Sequence, residues 1–411
     1  MALTRRGAVL AGAAAAAAPA LVRAASLGSS ARAVVVGAGV FGAWTAEHLR
    51  RAGIETLLVD AWGSAHARAS SGGETRMTRA GYGKDEVYSR MALASLAEWR
   101  ALSAGVGLPL FHEIGVLFFG LPTEAYLADS AAALARLGIA HQLLDTAALR
   151  RRFPMIAFDD RTIGLLEPQF GALVARRAVQ TLVARFVAGG GRYAQQAIAP
   201  PKVDGRLRAV VTTAGERLEA DLFVFACGPW LGKLFPTLLA SRIFPTRQEV
   251  FFFAPEAGDG RFLPGSLPGW ADFNGGDIYY GFPDIEARGL KIAHDAHGAA
   301  TDPDSNDRMP SAAALADVRA FMARRFPALA ARPLAEARVC QYENSANGDL
   351  LIDRHPEASN VVLVGAGSGH GFKHGPEVGR TAAALATGAL AAPEPRFALA
   401  TKAERQQRAV H

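Results

Sequence analysis

The sequence predicts a chain in two parts: an α/β unit around a parallel sheet and an α+β insert around an antiparallel one. Three observations predict it. Near the front, an apolar strand runs straight into a glycine-spaced helix start, VVVGAGVFG. Near the other end, a second apolar strand meets a second glycine-dense loop, VVLVGAGSGHGFK. Between them lie stretches of alternating apolar residues, GVLFF and RQEVFFFAP, of the kind that half-buries a strand.

In chain order, Ala33 to Val36 read as a buried strand, Gly37, Gly39 and Gly42 open a helix, and Val40, Phe41 and, further on, Ala61 are counted with them as cofactor-binding residues. Gly37 permits the tight turn, Gly39 lets backbone approach phosphates, and Gly42 lets helix and strand pack closely. The start of that helix suits a pyrophosphate. Asp60 ends the second strand, ETLLVD, just before Ala61, roughly 20 residues past the first glycine, where an acid accepts hydrogen bonds from a ribose diol. The expectation is therefore a Rossmann-like dinucleotide-binding domain assembled from 31–80, 157–234 and 356–392. The insert, 81–156 and 235–355, takes strands around Gly115 and Glu249 and a helix from Ser311 to Arg325, and 393–411 is read as a tail. No internal repeat is visible, and the alanine-rich N-terminus is the one low-complexity stretch.

With 411 residues, 50% hydrophobic and 20% charged, the chain can bury a large core in two structural domains. A formal charge of +6 is modest, and Arg5, Arg6 and Arg23 contribute to it from the first residues, so no nucleic-acid partner is inferred. Those residues, TRRGAVLAGAAAAAAPALVRAAS, read as a twin-arginine export signal over 1–30 with small residues for cleavage near Ala24, which implies the twin-arginine machinery as a partner and a periplasmic location. The other reading is an N-terminal tail with chance arginines. The apolar run is too short for a permanent membrane span. Cys227 and Cys340 are the two cysteines, too few for a disulfide framework, though a single bridge between them stays open. The histidines lack metal-ligand spacing.

Six stretches, in order, carry a resemblance: GGETRMTR, ADLFVFACGPW, DIYYGFPD, GLKIAHDAHG, ARVCQY and GSGHGFK. From Ala33 to about Ala391 the chain is similar to the sarcosine oxidase and N-methyltryptophan oxidase family, a branch of the D-amino-acid-oxidase-like flavoproteins. The resemblance implies a Rossmann-like FAD-binding domain, an inserted substrate domain roofing the flavin ring, and a monomer. It further implies that Cys340 carries the flavin covalently through its 8α-methyl carbon. A thiolate is a soft nucleophile, and a basic neighbour such as Arg338 would lower its pKa. The other reading of Cys340 is an inert buried thiol.

By the same resemblance Lys291 lies over the flavin and helps it react with oxygen, since a fixed cation stabilises the anion formed on the way to superoxide. Arg79 and Lys373 clamp a substrate carboxylate, Arg76 sits on the other side of the ring, and Tyr280 contacts the substrate. Cys227, Gly228, Gly369, His370, Gly371 and Phe372 line the cofactor. The plainer alternatives are a surface lysine at 291, an arginine pairing with Glu74, a lysine capping a loop, strand packing for Tyr280, and a His370 bonded to loop backbone. Two positions depart from the family. Asp295 stands where these oxidases have a substrate-contacting histidine, with His294 and His297 flanking it. Glu343 stands where sarcosine oxidase has a threonine near the substrate.

The reading that follows is a covalent-FAD amine oxidase acting on a secondary or cyclic amino acid and reducing oxygen to hydrogen peroxide. Its rivals are a dehydrogenase using another acceptor, a deglycating fructosyl-amino-acid-type oxidase, and an exported flavin-binding protein without turnover. A NAD dehydrogenase sharing the front motif explains nothing after Cys340.

Overall fold

A computed structural model of the protein describes residues 30–274, 278–296 and 298–406, so the arginine pair and alanine-rich run read as an export signal, and His297, lie outside the described residues. The strand Ser30–Val36 pairs in parallel with Thr56–Asp60 on one side and Arg217–Phe225 on the other. Ala358–Gly365 and Arg192–Gln195 extend the parallel sheet outward, and Leu351–His355 and Ala209–Val211 add antiparallel partners. Ala33 and Val35 enter one core, with Trp44, Val179 and Val378 of the helices Val40–Arg51, Ala175–Ala188 and Gly375–Thr387. Val34 and Val36 enter another, with Phe225, Phe235 and Leu363. Both faces are covered, which is why these strands read as unbroken apolar runs.

The second sheet runs Leu334–Asn344, Phe244–Phe253, Leu290–His294, Tyr279–Phe282, Gly269–Asp272, Val116–Gly120, Ile163–Glu167 and Gln142–Leu144 among the described residues. The helix Ala312–Arg325 begins where Ser311 Oγ accepts a hydrogen bond from Ala314 N at 3.1 Å. It presses Phe321 and Met322 onto one face of this sheet, against Phe251, Phe253, Trp270, Tyr279 and Ile292. Alternate residues therefore point to the opposite face, and that face becomes a wall of the site.

The division of the chain differs from the expected boundaries in three places. The strand Ile163–Glu167 pairs with Val116–Gly120 in the antiparallel sheet, so the chain returns to the parallel sheet later than residue 157. Helix Glu86–Ala104, expected in the insert, packs on the nucleotide-binding half, with Trp99 edge-on to Trp44 at 5.3 Å, because its apolar stripe matches that core. The C-terminal segment is packed: Phe397 is 3% exposed, and Arg396 pairs with Asp85 and Asp349 at 2.9 Å each.

Candidate active site

Two hollows meet at a shared wall formed by Ala69, Arg76, Tyr342, Gly369 and Phe372. The larger, about 420 Å³, is a cleft outside the carboxyl ends of the parallel strands, where a doubly wound sheet binds ligands. Gly37, Gly39, Val40, Phe41, Asp60, Ala61, Cys227, Gly228, Gly369, Gly371 and Phe372 line it, as does Arg76. Gly37 has φ +103°, and a Cβ there would meet Ala226 O at 2.3 Å. Gly42 lies behind the lining: a Cβ would sit 1.8 Å from Gly37 O, so the residue serves the packing of helix on turn. Gly39 is different, since an added Cβ would find only Ser71 Oγ, at 3.4 Å, among the described residues. Nothing internal to the fold requires that glycine, so the open backbone there suits the approach of a phosphate. Asp60 already accepts Ala38 N at 2.8 Å, Trp62 N at 2.9 Å and Gly63 N at 3.0 Å, which fixes its carboxylate while leaving acceptor capacity for a diol. Two buried oxygens lining this cleft region, Ser70 Oγ and Glu343 Oε2, have no hydrogen-bond partner among the described residues. A glycine cradle, a helix N-terminus, a carboxylate at the second strand's end and orphaned polar atoms fit an adenine dinucleotide.

The smaller hollow, about 120 Å³, is built from side chains. Three antiparallel strands each send alternate residues into it: Cys340 and Tyr342; Gln248, Val250 and Phe252; Lys291, with Asp295 just past the strand's end. Tyr280 enters from the neighbouring strand, whose Tyr279 faces the helix instead and stacks on Phe321 at 4.0 Å. The same alternation settles the choice between neighbours at the loop. His294 turns to the helix, with Nδ1 3.1 Å from Asp317 Oδ2, while Asp295 lines the cavity and accepts from Tyr342 OH at 3.2 Å.

Lys291 is 3% exposed, and its Nζ donates to Thr75 O at 3.1 Å and Thr75 Oγ1 at 3.3 Å. Burial, reinforced by Arg76, pushes its ammonium down to about 7. It is no surface lysine. Arg76 Nη2 lies 3.7 Å from Cys340 Sγ and also donates to Ser70 O at 2.5 Å. The expected basic neighbour of the thiol, Arg338, is instead tied to Glu74 at 2.6 Å and to Glu336, and these two carboxylates hold its guanidinium. Both cysteines are free thiols: Cys227 Sγ donates to Val36 O at 3.3 Å, away from the cavity that Cys340 lines.

Arg79 and Lys373 are brought together by a residue that the sequence reading missed. Tyr82 receives the Arg79 guanidinium over its ring at 3.9 Å, and its hydroxyl accepts from Lys373 Nζ at 2.7 Å. The same hydroxyl contacts His374 Nε2 at 2.8 Å and His370 Nδ1 at 3.2 Å. His374 is held neutral, its pKa driven well down by burial and by Lys373. His370 lines the cavity, yet its Nε2 lies 3.0 Å from Gly348 O, so both ring nitrogens already have partners in the fold. Beneath Arg79, buried Glu167 accepts Ala80 N at 2.7 Å and Gly81 N at 3.0 Å, and Trp99 Nε1 donates to Lys373 O at 2.8 Å. Burial and the Asp295 carboxylate push Tyr280 up to about 12, so it enters as a neutral phenol.

Tyr342 follows Cys340 by two, and strand periodicity was the signal for it; Tyr82 had none, since only the folded chain brings it to the glycine-rich loop. Glu343 is the clearest correction. Expected at the substrate, it lies on the other face of its strand from Cys340 and lines the nucleotide cleft. Among the described residues no cluster of metal-ligating groups and no helix long and apolar enough to cross a membrane is present.

The comparisons agree with this geometry. A monomeric sarcosine oxidase from Bacillus sp. (strain B-0618) is 31% identical over 86% of this chain and 91% of that protein. An N-methyl-L-tryptophan oxidase from Salmonella arizonae is 32% identical over 86% of this chain and 94% of its own. Among solved structures, NikD, described as an unusual amino acid oxidase essential for nikkomycin biosynthesis, superposes with a TM-score of 0.75 over 90% of this chain and 98% of that one, at 22% identity. Since the FAD dependent oxidoreductase family model matches residues 32–385, nearly the whole of the described structure, this chain belongs to that family of flavoenzymes.

Proposed function

We propose that the chain is a covalent-FAD oxidase of a secondary or cyclic amino acid, exported after folding. The observation that carries this reading is the cavity: a buried Lys291, an Arg76 beside Cys340, and an Arg79 and Lys373 joined through Tyr82, all against the wall shared with the dinucleotide cleft. Bound flavin supplies a two-electron acceptor for a carbon–nitrogen bond and a route from there to oxygen. The chain's own residues do the rest. Arg79 and Lys373 bind a carboxylate and so fix which carbon faces the shared wall. Tyr280 and Phe252 exclude water beside it. Lys291, held near neutrality and hydrogen-bonded to Thr75, presents a cation where negative charge develops. Cys340 is the thioether anchor, with Arg76 Nη2 3.7 Å from its sulfur. Overall, one amine and one oxygen become one imine and one hydrogen peroxide, and water hydrolyses the imine when it is not cyclic.

The relatives named for sarcosine and N-methyl-L-tryptophan support a secondary amino acid as substrate. Asp295 narrows the class. It faces the cavity with Tyr342, so the preferred substrate carries a hydroxyl or cationic donor in addition to its carboxylate. A panel of N-alkyl, cyclic and glycated amino acids, scored by peroxide release, tests the reading; anaerobic bleaching without peroxide from any of them points to a dehydrogenase. Acid-denatured protein whose mass lacks the FAD increment refutes the covalent anchor. A fusion to the first thirty residues that stays cytoplasmic, and is unaffected when Arg5 and Arg6 become lysine, refutes the export signal.

A further inference from the structure

Glu343 has no part in the chemistry described so far, and its surroundings are unusual for an acid. It is 6% exposed. One carboxyl oxygen, Oε1, meets Gly367 N at 3.4 Å, while Oε2 has no hydrogen-bond partner among the described residues. Cβ atoms built on Gly228 and Gly365 would lie 3.6 and 3.5 Å from Oε2, so this oxygen sits between two backbone turns that close the carboxyl end of the parallel sheet. The side chain lines the cleft that fits the dinucleotide.

A buried carboxylate normally has a cation or several N–H donors to offset its lost hydration. Glu343 is influenced by backbone amides of Gly367 and Ala366, and burial outweighs them, raising its pKa to about 8. The groups around it do not change this. The Cys227 thiol, across the Gly228 turn, is itself pushed well up by burial, with Asp60 and Glu343 adding to the effect. From the helix start comes Phe41, and from the glycine-rich loop come backbone amides. His66 lies by Asp60, and Lys233 is tied to Asp302 at 2.6 Å and to Asp304. A dianionic pyrophosphate entering the cleft adds repulsion against any carboxylate there, so the bound state favours the acid still more.

We propose that Glu343 is a cofactor-positioning residue: a neutral carboxylic acid that donates a hydrogen bond from Oε2 to an acceptor oxygen in the phosphate–ribityl portion of the bound FAD. The assignment rests on the FAD reading of the cleft. It reverses the expected role of this departure from the family, moving it from substrate choice to cofactor retention. Because only the acid can donate, FAD binding takes up a proton once the free carboxyl has ionised, and affinity falls as pH rises.

The test uses the full chain carrying C340S, so that flavin is exchangeable. FAD is titrated by flavin fluorescence across roughly pH 6 to 10, with and without E343Q, whose amide keeps an N–H donor and cannot ionise. The C340S chain is expected to bind at constant affinity up to about pH 7 and to weaken by about tenfold per pH unit above about 8. C340S/E343Q is expected to bind with no such slope. Parallel slopes in the two proteins overturn the proposal. Should E343Q fail to fold, calorimetry of C340S alone at about pH 9, in two buffers of different ionisation enthalpy, decides the matter: about one proton taken up per FAD is expected, and none overturns it. A chain that binds no FAD at any pH overturns the nucleotide reading instead, and the proposal falls with it.

Discussion

The nucleotide cleft is shaped at its first turn by glycines that leave backbone bare, whereas the cavity beyond Arg76 is walled by side chains from several elements. In the cleft, Gly37, Gly39 and Gly42 occupy neighbouring positions on one turn, and only their lack of a Cβ matters. In the cavity, Lys291 and Cys340 come from two strands of the antiparallel sheet, Arg79 from just past the strand Thr75–Thr78 and Lys373 from the glycine-rich loop, and what matters is charge held out of water. A shape built by backbone tolerates almost no added atom, while a site built by side chains loses function in parts. That difference orders the expected effects of mutation.

The largest effect belongs to the turn. In G42V the new Cβ has Gly37 O at 1.8 Å, a backbone atom that cannot move without opening the strand–helix packing, so soluble, flavin-bearing protein is expected to be lost. G39A is the sharpening control. It meets only Ser71 Oγ at 3.4 Å, so thermal unfolding of the flavin-free protein should be nearly unchanged while FAD affinity drops at least about tenfold, about 1.4 kcal/mol. If G39A and G42V fail alike in folding, the two glycines do not have the separate jobs assigned to them.

On the other side of Arg76, K291M is expected to keep anaerobic reduction by substrate and to slow reoxidation by oxygen about 10²- to 10³-fold, as loss of one preorganised charge does elsewhere. The same lysine gives a pH signature in flavin-free protein. Its pKa is about 7 when folded against an ordinary 10.5, so between those values the unfolded chain binds more protons. Stability from this group therefore rises with pH across that window, and K291M should remove that component of the slope in denaturant titrations. A pH slope identical in K291M and the parent contradicts the burial described for Lys291.

The cleft was legible because local rules govern it. Gly37 to Gly42 are six consecutive residues and Asp60 ends the adjoining strand, so a short stretch of sequence carries both. The parallel strands were legible for a related reason, their burial on both faces. Within the cavity, Lys291, Tyr280, Cys340, Arg79 and Lys373 were legible through motifs that resemble the family's, and strand alternation added only the turning of Tyr279 to the opposite face from Tyr280. Glu343 was misplaced although the same counting rule puts it on the face opposite Cys340, because a family position was followed in place of the strand's period. Tyr82 and the packing of Trp99 beneath Lys373 were invisible, since a phenol three residues past Arg79 acquires its role only when the C-terminal loop arrives. The boundary near 157 failed because Ile163–Glu167 is as apolar as a parallel strand, and only its pairing with Val116–Gly120 assigns it to the other sheet.

Smaller effects come from the clamp. K373M removes a charge-assisted contact worth about 1.5–3 kcal/mol, so kcat/KM for carboxylate substrates should fall roughly 10- to 150-fold, with little change for an amine lacking the carboxylate. Because Lys373 also donates to Tyr82 OH, Y82F tests whether positioning or charge dominates: it keeps the ammonium and the ring under Arg79 but removes the hydroxyl. A Y82F loss as large as that of K373M would mean that placement of the ammonium decides binding.

The smallest expected effect falls on Asp295, and it bears most directly on which substrate the cavity selects. D295N keeps the size of the side chain and an oxygen able to accept from Tyr342 OH, at 3.2 Å in the parent, but removes the charge. If Asp295 recognises a cationic donor on the substrate, D295N should lower kcat/KM several-fold for substrates bearing one, about 1 kcal/mol, and leave hydroxyl-bearing substrates within about twofold, since an amide oxygen still accepts. If it recognises a hydroxyl, both classes change little, and D295L, which cannot accept at all, separates the two. The direction also follows from Tyr280, whose phenol is raised partly by this carboxylate: in D295N that influence is gone, so the pKa of Tyr280 should move down toward its ordinary value. A spectroscopic tyrosinate titration that is unchanged in D295N would mean that Asp295 does not share a field with the cavity, and the selectivity argument built on it would lose its basis.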